Sequence, residues 1–415
     1  MDEEAVEAEA TLVNAPEQLV RSFRFCRRNL KNMRLLTSAL TPSGLWLRES
    51  ALPLWASRGF DPDRGAFEEQ LDFSGAAVIN APRRLMVQAR QIIVYAAAAL
   101  SGDYPPGAVL VSRATRAMIR DYLCADGQPG WVFSVDRSGR VVEPKRDLYA
   151  HAFVISALAW AMRLDPDPAF ETALSATELI LEDDFADAEN GGYWDSIPRV
   201  DSLRRQNPHM HLLEAFVALY ETTKRDNVLE RGKKLVELSL TRFLDPATGA
   251  LREFYSNTWR VHPRPGEGSV EPGHLFEWAW LLRRFEAVTG QDQTVATTSL
   301  IDMAIRYGFG DSRDRVVDEI GENGEIRAES SRLWSHAEAL KALTTEATRG
   351  NLVHSHAIEP ICRRLSDVYC RKEFEGGWID HVDKKDRTLS MMMPASTLYH
   401  VYFGITSVET WIRGP

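Results

Sequence analysis

Cysteine is scarce in this chain. Four of its 415 residues are Cys (Cys26, Cys124, Cys362 and Cys370), far apart and with no Cys-x-x-Cys pair, which argues against a zinc site or a disulfide framework. Positive charge is also short: 49 Lys and Arg stand against 59 Asp and Glu, a net charge of −10. No face then carries the basic surplus that a phosphate backbone demands, so nucleic acid is not an expected partner. The densest basic cluster, Arg27, Arg28 and Lys31, reads as a solvated helix face. No apolar run reaches the roughly 18 residues of a membrane span. The first residues, MDEEAVEAEA, are acidic where a targeting peptide would be basic, so the expectation is a cytoplasmic protein with no membrane partner. No phosphate-cradling GxxxxGK[ST] loop is present, and GFG at 308–310 lacks the third glycine of a dinucleotide turn, so no cofactor is expected. Residues 1–14 have little apolar content and are expected to be disordered. No linker divides the rest, which reads as a single domain over 15–415.

What the chain does have is repetition. Segments 84–100, 148–162, 209–223, 273–287, 333–345 and 396–405 are rich in Ala and Leu with few polar interruptions, as helices buried on most sides would be. Between them lie amphipathic stretches at 16–38, 110–123, 168–182, 226–242, 293–306 and 358–370, as expected of helices covering a core on one face. GWVFSVDRSGRVV at 130–142 alternates around a turn at Arg137–Gly139 and predicts a short hairpin. NGGYWDS at 190–196 and EGGWIDHVD at 375–383 read as two copies of one element.

Five histidines give the repeat a length. His151, His211, His274, His336 and His400 are 60, 63, 62 and 64 residues apart, and Arg90 lies 61 before His151. A unit of that length, returning each time to a buried helix, predicts an all-α fold: a closed (α/α)6 toroid of helical hairpins with these positions around one central pocket. Two rungs share His-x-x-Glu, HLLE at 211–214 and HLFE at 274–277. Residues three apart share a helix face, so each pair sets an imidazole beside a carboxylate, an arrangement suited to general acid–base work near neutral pH. His274 follows Pro272 and Gly273 at a helix start, where the positive end of the dipole favours a neutral imidazole able to act as base. The same residues leave other chemistries open. Histidines on neighbouring helices can hold a metal, although di-iron sites use the reverse Glu-x-x-His order. Glu214, Glu253, Glu277 and Glu338 supply enough acids for glycoside hydrolysis.

Six segments, RLMVQARQ (84–91), DLYAHAFVI (147–155), NPHMHLLEA (207–215), PGHLFEWAWLL (272–282), RLWSHAEALKA (332–342) and PASTLYHVY (394–402), resemble in order those of the N-acylglucosamine 2-epimerase superfamily. The resemblance implies the (α/α)6 barrel and metal-free chemistry at C1 and C2 of a free reducing sugar. It implies that His274 and His400 are the catalytic pair working through a cis-enediol, that His211 aids ring opening, and that Glu214 and Glu277 are acidic partners. Arg90, Tyr149, Asn207, Trp334 and Glu338 match residues that hold the sugar, with Arg90 the candidate to stabilise the enediolate. His151 and His336 are not required as histidine, and either line the pocket or fill the equivalent helical layer.

MMMPASTLYHVY, before and through His400, is similar to the mannose isomerase branch, and the Trp-Lys-x-Pro-Tyr-His of disaccharide epimerases is absent. The expected reaction is interconversion of D-mannose and D-fructose, with lyxose a further substrate; the alternative is a sugar 2-epimerase. A phosphorylated substrate would need an anion site, for which Arg83–Arg84 and Arg204–Arg205 are the candidates. A homodimer is the family-level expectation. A non-catalytic binding protein on the same barrel is the reading from another class.

Overall fold

A computed structural model of the chain describes residues 43–199, 203–261 and 268–414. The expected disorder of 1–14 and the expected outer helix at 16–38 lie outside these. Among the described residues twelve α-helices follow one another: α1 (Leu52–Ser57), α2 (Leu85–Ser101), α3 (Gly107–Tyr122), α4 (Leu148–Leu164), α5 (Pro168–Ile180), α6 (Gln206–Thr223), α7 (Asp226–Leu238), α8 (Pro272–Thr289), α9 (Thr294–Tyr307), α10 (Leu333–Thr348), α11 (Ile358–Arg364) and α12 (Thr397–Arg413).

The even-numbered helices form the inner ring. Each packs on the next in chain order, and α12 packs back on α2, closing the circle. Their near-continuous apolar sequence follows from this: α4 buries Leu148, Phe153, Val154, Ile155 and Leu158 on several faces at once. The odd-numbered helices α3, α5, α7, α9 and α11 pack outside. Three of these, α5, α7 and α11, run on into a π-helical turn, at Leu181–Phe185, Ser239–Phe243 and Leu365–Tyr369, so the sequence's longer estimates of these helices contain a change of helix type. Among the described residues no helix is long and apolar enough to cross a membrane.

Short strands set where each inner helix begins. Arg83–Arg84, Arg146–Asp147, Arg204–Arg205 and Ser331–Arg332 each lead into an inner helix and pair antiparallel with a strand that follows the next outer helix. The hairpin expected around Arg137–Gly139 is present, with Ser134–Val135 paired to Val141–Glu143. The first N–H of an inner helix has no partner within the helix. Leu85 donates to Phe133 O, Leu148 to Asp195 O and Leu333 to Asp380 O, each at 2.9 Å. Asp195 and Asp380 come from the two Gly-Gly-aromatic-Asp segments, so that repeated motif supplies one carbonyl to one helix start in each repeat. Met393–Pro394 pairs with Gln70–Leu71, joining the last repeat to the first.

The regular spacing of the five histidines mixes two layers. His151, His209 and His336 are the fourth residues of α4, α6 and α10, and each makes the same two bonds. Nδ1 meets the carbonyl four residues earlier, Asp147, Arg205 or Arg332. Nε2 accepts a backbone N–H, from Trp131, Tyr193 or Val316. In α2 the fourth residue is Gln88, whose amide does this work by bonding both N–H and C=O of Phe67 at 2.8 Å. His151 and His336 therefore belong to the scaffold. Two residues further along come Arg90, Phe153, His211 and Glu338, and this second layer faces the ring axis.

Candidate active site

The second layer brings the expected site residues together. On α2, the Arg90 guanidinium lies 4.4 Å from the Phe153 ring centre and 5.3 Å from that of Tyr399, and donates to Tyr149 Oη. Tyr149 meets the His211 ring edge-on at 4.9 Å. His211 Nδ1 is 3.2 Å from Glu214 Oε2, its i+3 neighbour, and its Nε2 is 3.9 Å from Glu277 Oε1 on α8. The other Glu214 oxygen accepts from Tyr399 Oη. Among the described residues both Glu277 oxygens, Asn207 Oδ1 and Arg90 Nε are buried without a hydrogen-bond partner. Buried polar atoms are rarely left so unless a ligand or water completes them.

Two imidazoles flank Trp334. The His274 ring centre is 5.0 Å from the indole and that of His400 is 5.6 Å. Gly273 makes room for this indole, since a Cβ there would sit 2.6 Å from Trp334 ring carbons. Each imidazole is fixed through Nδ1, His274 by Glu253 Oε1 at 2.9 Å and His400 by Glu338 Oε1 at 2.7 Å. No hydrogen bond to Nε2 of either ring forms among the described residues, so that nitrogen is available to a substrate.

Their surroundings push the two rings apart in ionisation. Burial alone would lower His274, but Glu253 and Glu271, at 2.9 and 3.8 Å, outweigh it and raise the imidazole to about 10. Burial lowers His400, and the nearby Arg90 and Lys341 charges push it further, well below the usual histidine range. Burial also drives His211 down to about 4. Glu214 feels the opposite of burial's upward push: His211, Lys341 and the Tyr399 hydroxyl hold it down to about 2. Glu277 is raised well above a normal carboxylic acid by burial and by Glu338 and Glu214. The expectation that a helix start keeps His274 neutral is therefore corrected; two carboxylates at close range outweigh a partial helix charge.

Three groups of acids and histidines place one donor atom each within 4.8 Å of one another: His211, Glu214 and Glu277; Glu253, Glu271 and His274; Glu277, Glu338 and His400. In each the imidazole Nδ1 is engaged by a carboxylate of its own group, so imidazole–carboxylate hydrogen bonds account for the spacing and none is assigned as a metal ligand.

Sequence reasoning missed several partners. Glu253 comes from the strand region 21 residues before His274 and was visible only as one acid among many. Gln206 donates to Glu253 Oε2 at 2.8 Å and accepts from Trp278 Nε1, locking that carboxylate. Phe153 was hidden by attention to His151, two residues earlier. The arginine pairs proposed as an anion site are otherwise employed. Arg83 is buried on Asp61 and Glu68, and Arg204 on Asp187 at 2.8 Å; Arg84 and Arg205 reach Glu69 and Asp195. Carboxylates balance all four cations.

The class that this ring and site define is that of sugar-converting (α/α)6 barrels. The chain belongs to the N-acylglucosamine 2-epimerase (GlcNAc 2-epimerase) family, whose model matches residues 65–404. It is 32% identical over 384 residues to the mannose-6-phosphate isomerase of Rhizobium meliloti (strain 1021), covering 89% of this chain and 96% of that protein. It is 30% identical over 261 residues to the D-mannose isomerase of Thermobifida fusca, covering 58% of this chain and 62% of that one. The crystal structure of a D-mannose isomerase superposes with a TM-score of 0.78 at 21% identity, over 88% of this chain and 96% of the other, a likeness of fold. The family points to sugar isomerase or epimerase activity.

Proposed function

We propose that the chain is an aldose–ketose isomerase interconverting D-mannose and D-fructose, with His400 as the base and His274 as the acid. The observation that supports it best is the pair of buried imidazoles flanking Trp334, each fixed through Nδ1 by its own carboxylate, one drawn toward the neutral form and the other toward the cation. Pairs of titratable groups driven apart in this way are how a single site runs acid and base steps together.

Ring opening comes first, with neutral His211 taking the anomeric hydroxyl proton and protonated Glu277 supplying one to the ring oxygen. His400 Nε2 then removes the C2 proton of the open aldose. The C2–H electrons form the C1=C2 bond, the C1=O pair moves to O1, and O1 takes the Nε2 proton of His274. Arg90, held among three aromatic rings, stabilises the charge developing on the enediolate. Collapse runs in the mirror order: O2 returns its proton to His274, and C1 takes the proton from His400, giving the ketose. Asn207, Tyr149, Trp334 and Glu338 line the sugar's seat.

A 2-epimerase would instead deliver a proton to C2 from the opposite face, for which a cationic second imidazole is the donor, so the ionisation of the pair serves either reaction. The isomerase reading draws its support over the epimerase from the likeness to a mannose-6-phosphate isomerase and a D-mannose isomerase. The relative named for mannose 6-phosphate keeps the phosphorylated sugar as a second reading, against which the carboxylate-balanced arginines argue. Proton NMR of the protein with D-mannose or mannose 6-phosphate in D2O, with a chelator control, tests both. Fructose deuterated at C1 from free mannose is the expected result. Glucose deuterated at C2 would overturn the isomerase reading, and exclusive use of the phosphate ester would overturn the choice of sugar.

A further inference from the structure

Beneath His400 lies a charge that its reaction does not use directly. Lys341 on α10 is 1% exposed. Its Nζ is 2.7 Å from Glu338 Oε2 and 3.6 Å from the Trp280 ring centre. The other Glu338 oxygen, Oε1, is 2.7 Å from His400 Nδ1. Ammonium, carboxylate and imidazole thus form one buried chain. Glu338 and Lys341 are an i, i+3 pair on one helix, and neither meets water, where desolvating two ions is expensive. A pair of that cost, ending on a site histidine, invites a functional account.

Glu338 is surrounded by groups that favour its neutral form. Burial raises its carboxyl above the usual range; Lys341, at 2.7 Å, is the main opposing influence, while Glu214 from α6 adds negative charge and His211 pulls the other way a little. The charge on Glu338 in turn raises Glu277 on α8. His400 in turn faces Arg90 from α2, His211 and Glu214 from α6, and Lys341. An ionised Glu338 can only accept a hydrogen bond, so it selects the His400 tautomer with the proton on Nδ1 and the lone pair on Nε2. A protonated Glu338 would donate to Nδ1 and force the proton onto Nε2, where the ring cannot act as base.

We propose that Lys341 is a positioning residue that keeps Glu338 ionised and thereby holds His400 in the tautomer whose Nε2 lone pair faces the sugar. The catalytic part of this rests on the isomerase reading; the tautomer does not. Lys341 also lines a cavity of about 420 Å³ beside Thr344, Phe403 and Ser407, from which a small amine can enter the space its truncation would leave.

The test is 15N NMR of imidazole-labelled protein, assigned by His400→Gln, with His151 and His336 as internal controls. The wild type is expected to show neutral His400 protonated on Nδ1 between pH 6 and 8. Wild type protonated on Nε2 would overturn the proposal without any variant or substrate. In Lys341→Met, the signal is expected to move to the Nε2–H tautomer while the control histidines stay put; an unmoved signal in a folded variant overturns it. With a sugar that turns over, Lys341→Met is expected to lose about 10²-fold to 10⁴-fold in kcat with KM little changed, the scale of a misplaced imidazole proton. Lys341→Ala is expected to recover part of that rate with millimolar ethylammonium entering from that cavity. Equal loss without amine rescue and without a tautomer change would mark Lys341 as structural only. Failure of every sugar to react would sink the isomerase reading while the tautomer result stands or falls by itself.

Discussion

Glu253→Gln is the most informative single substitution at this site. The Glu253 carboxylate is 2.9 Å from His274 Nδ1, with both side chains buried. Taking the charge centres as about 4 Å apart and an effective dielectric constant of about 20, a unit charge there is worth about 4 kcal/mol, or about three pKa units. Glu271 remains at 3.8 Å, and the glutamine carbonyl can still accept from Nδ1–H, so part of the effect survives. The expected fall is roughly two to three units, from about 10 in the native protein. Because the acid must be protonated to work, activity is lost as pH rises through this pKa. The alkaline limb of kcat/KM for mannose is therefore expected near 10 in the wild type and near roughly 7–8 in Glu253→Gln. Initial rates across pH 5–10.5, with circular dichroism confirming fold at each pH, measure it. An alkaline limb common to both proteins would refute the assignment of His274 as a cationic acid.

Three further outcomes follow from particular contacts. His151 and His336 are held neutral by burial, down to about 4 each, so the native state resists protonation that the unfolded chain accepts near 6.5. Stability from each is full above 6.5 and is lost as pH falls toward 4, by roughly 3 kcal/mol at most. His336→Gln, copying Gln88, is expected to fold and to flatten this acid loss in urea titrations; an unchanged pH slope would contradict it. Arg204→Met leaves Asp187 buried without its cation and is expected to cost about 3–5 kcal/mol, while the ratio of rates on mannose and mannose 6-phosphate stays the same. A selective loss on the phosphate ester would restore the anion-site reading. Gly273→Ala would press on Trp334 from 2.6 Å and is expected to raise KM several-fold with the fold retained; an unchanged KM would remove Trp334 from the sugar's seat.

The inner and outer helices were legible because burial writes itself as apolar content, and the π-helical turns were not, because they change hydrogen bonding without changing that pattern. Counting back from His151 reached Arg90, yet the count was regular for a partly accidental reason. His151 and His336 align with His209 and Gln88, whereas His211 aligns with Arg90 and Glu338, and a two-residue difference disappears within the scatter of the repeat length. Glu253 was beyond reach of any spacing rule, since a short strand and the turn that follows it decide which loop carboxylate meets His274. Lys341 drew no reading, because an i, i+3 pair with Glu338 looks the same in sequence whichever way its face points. The charge state of His274 shows the same limit: position on a helix was visible in the sequence, and the two acids that override it were not.

The central claim is that one neutral imidazole, His400, carries hydrogen between C2 and C1 on one face of the sugar. D-mannose bearing deuterium at C2, turned over in H2O, tests this directly. The expected product is fructose in which a measurable fraction of the deuterium has moved to C1, with that transfer abolished in His400→Ala. Glucose bearing solvent hydrogen at C2, formed without fructose, would contradict it.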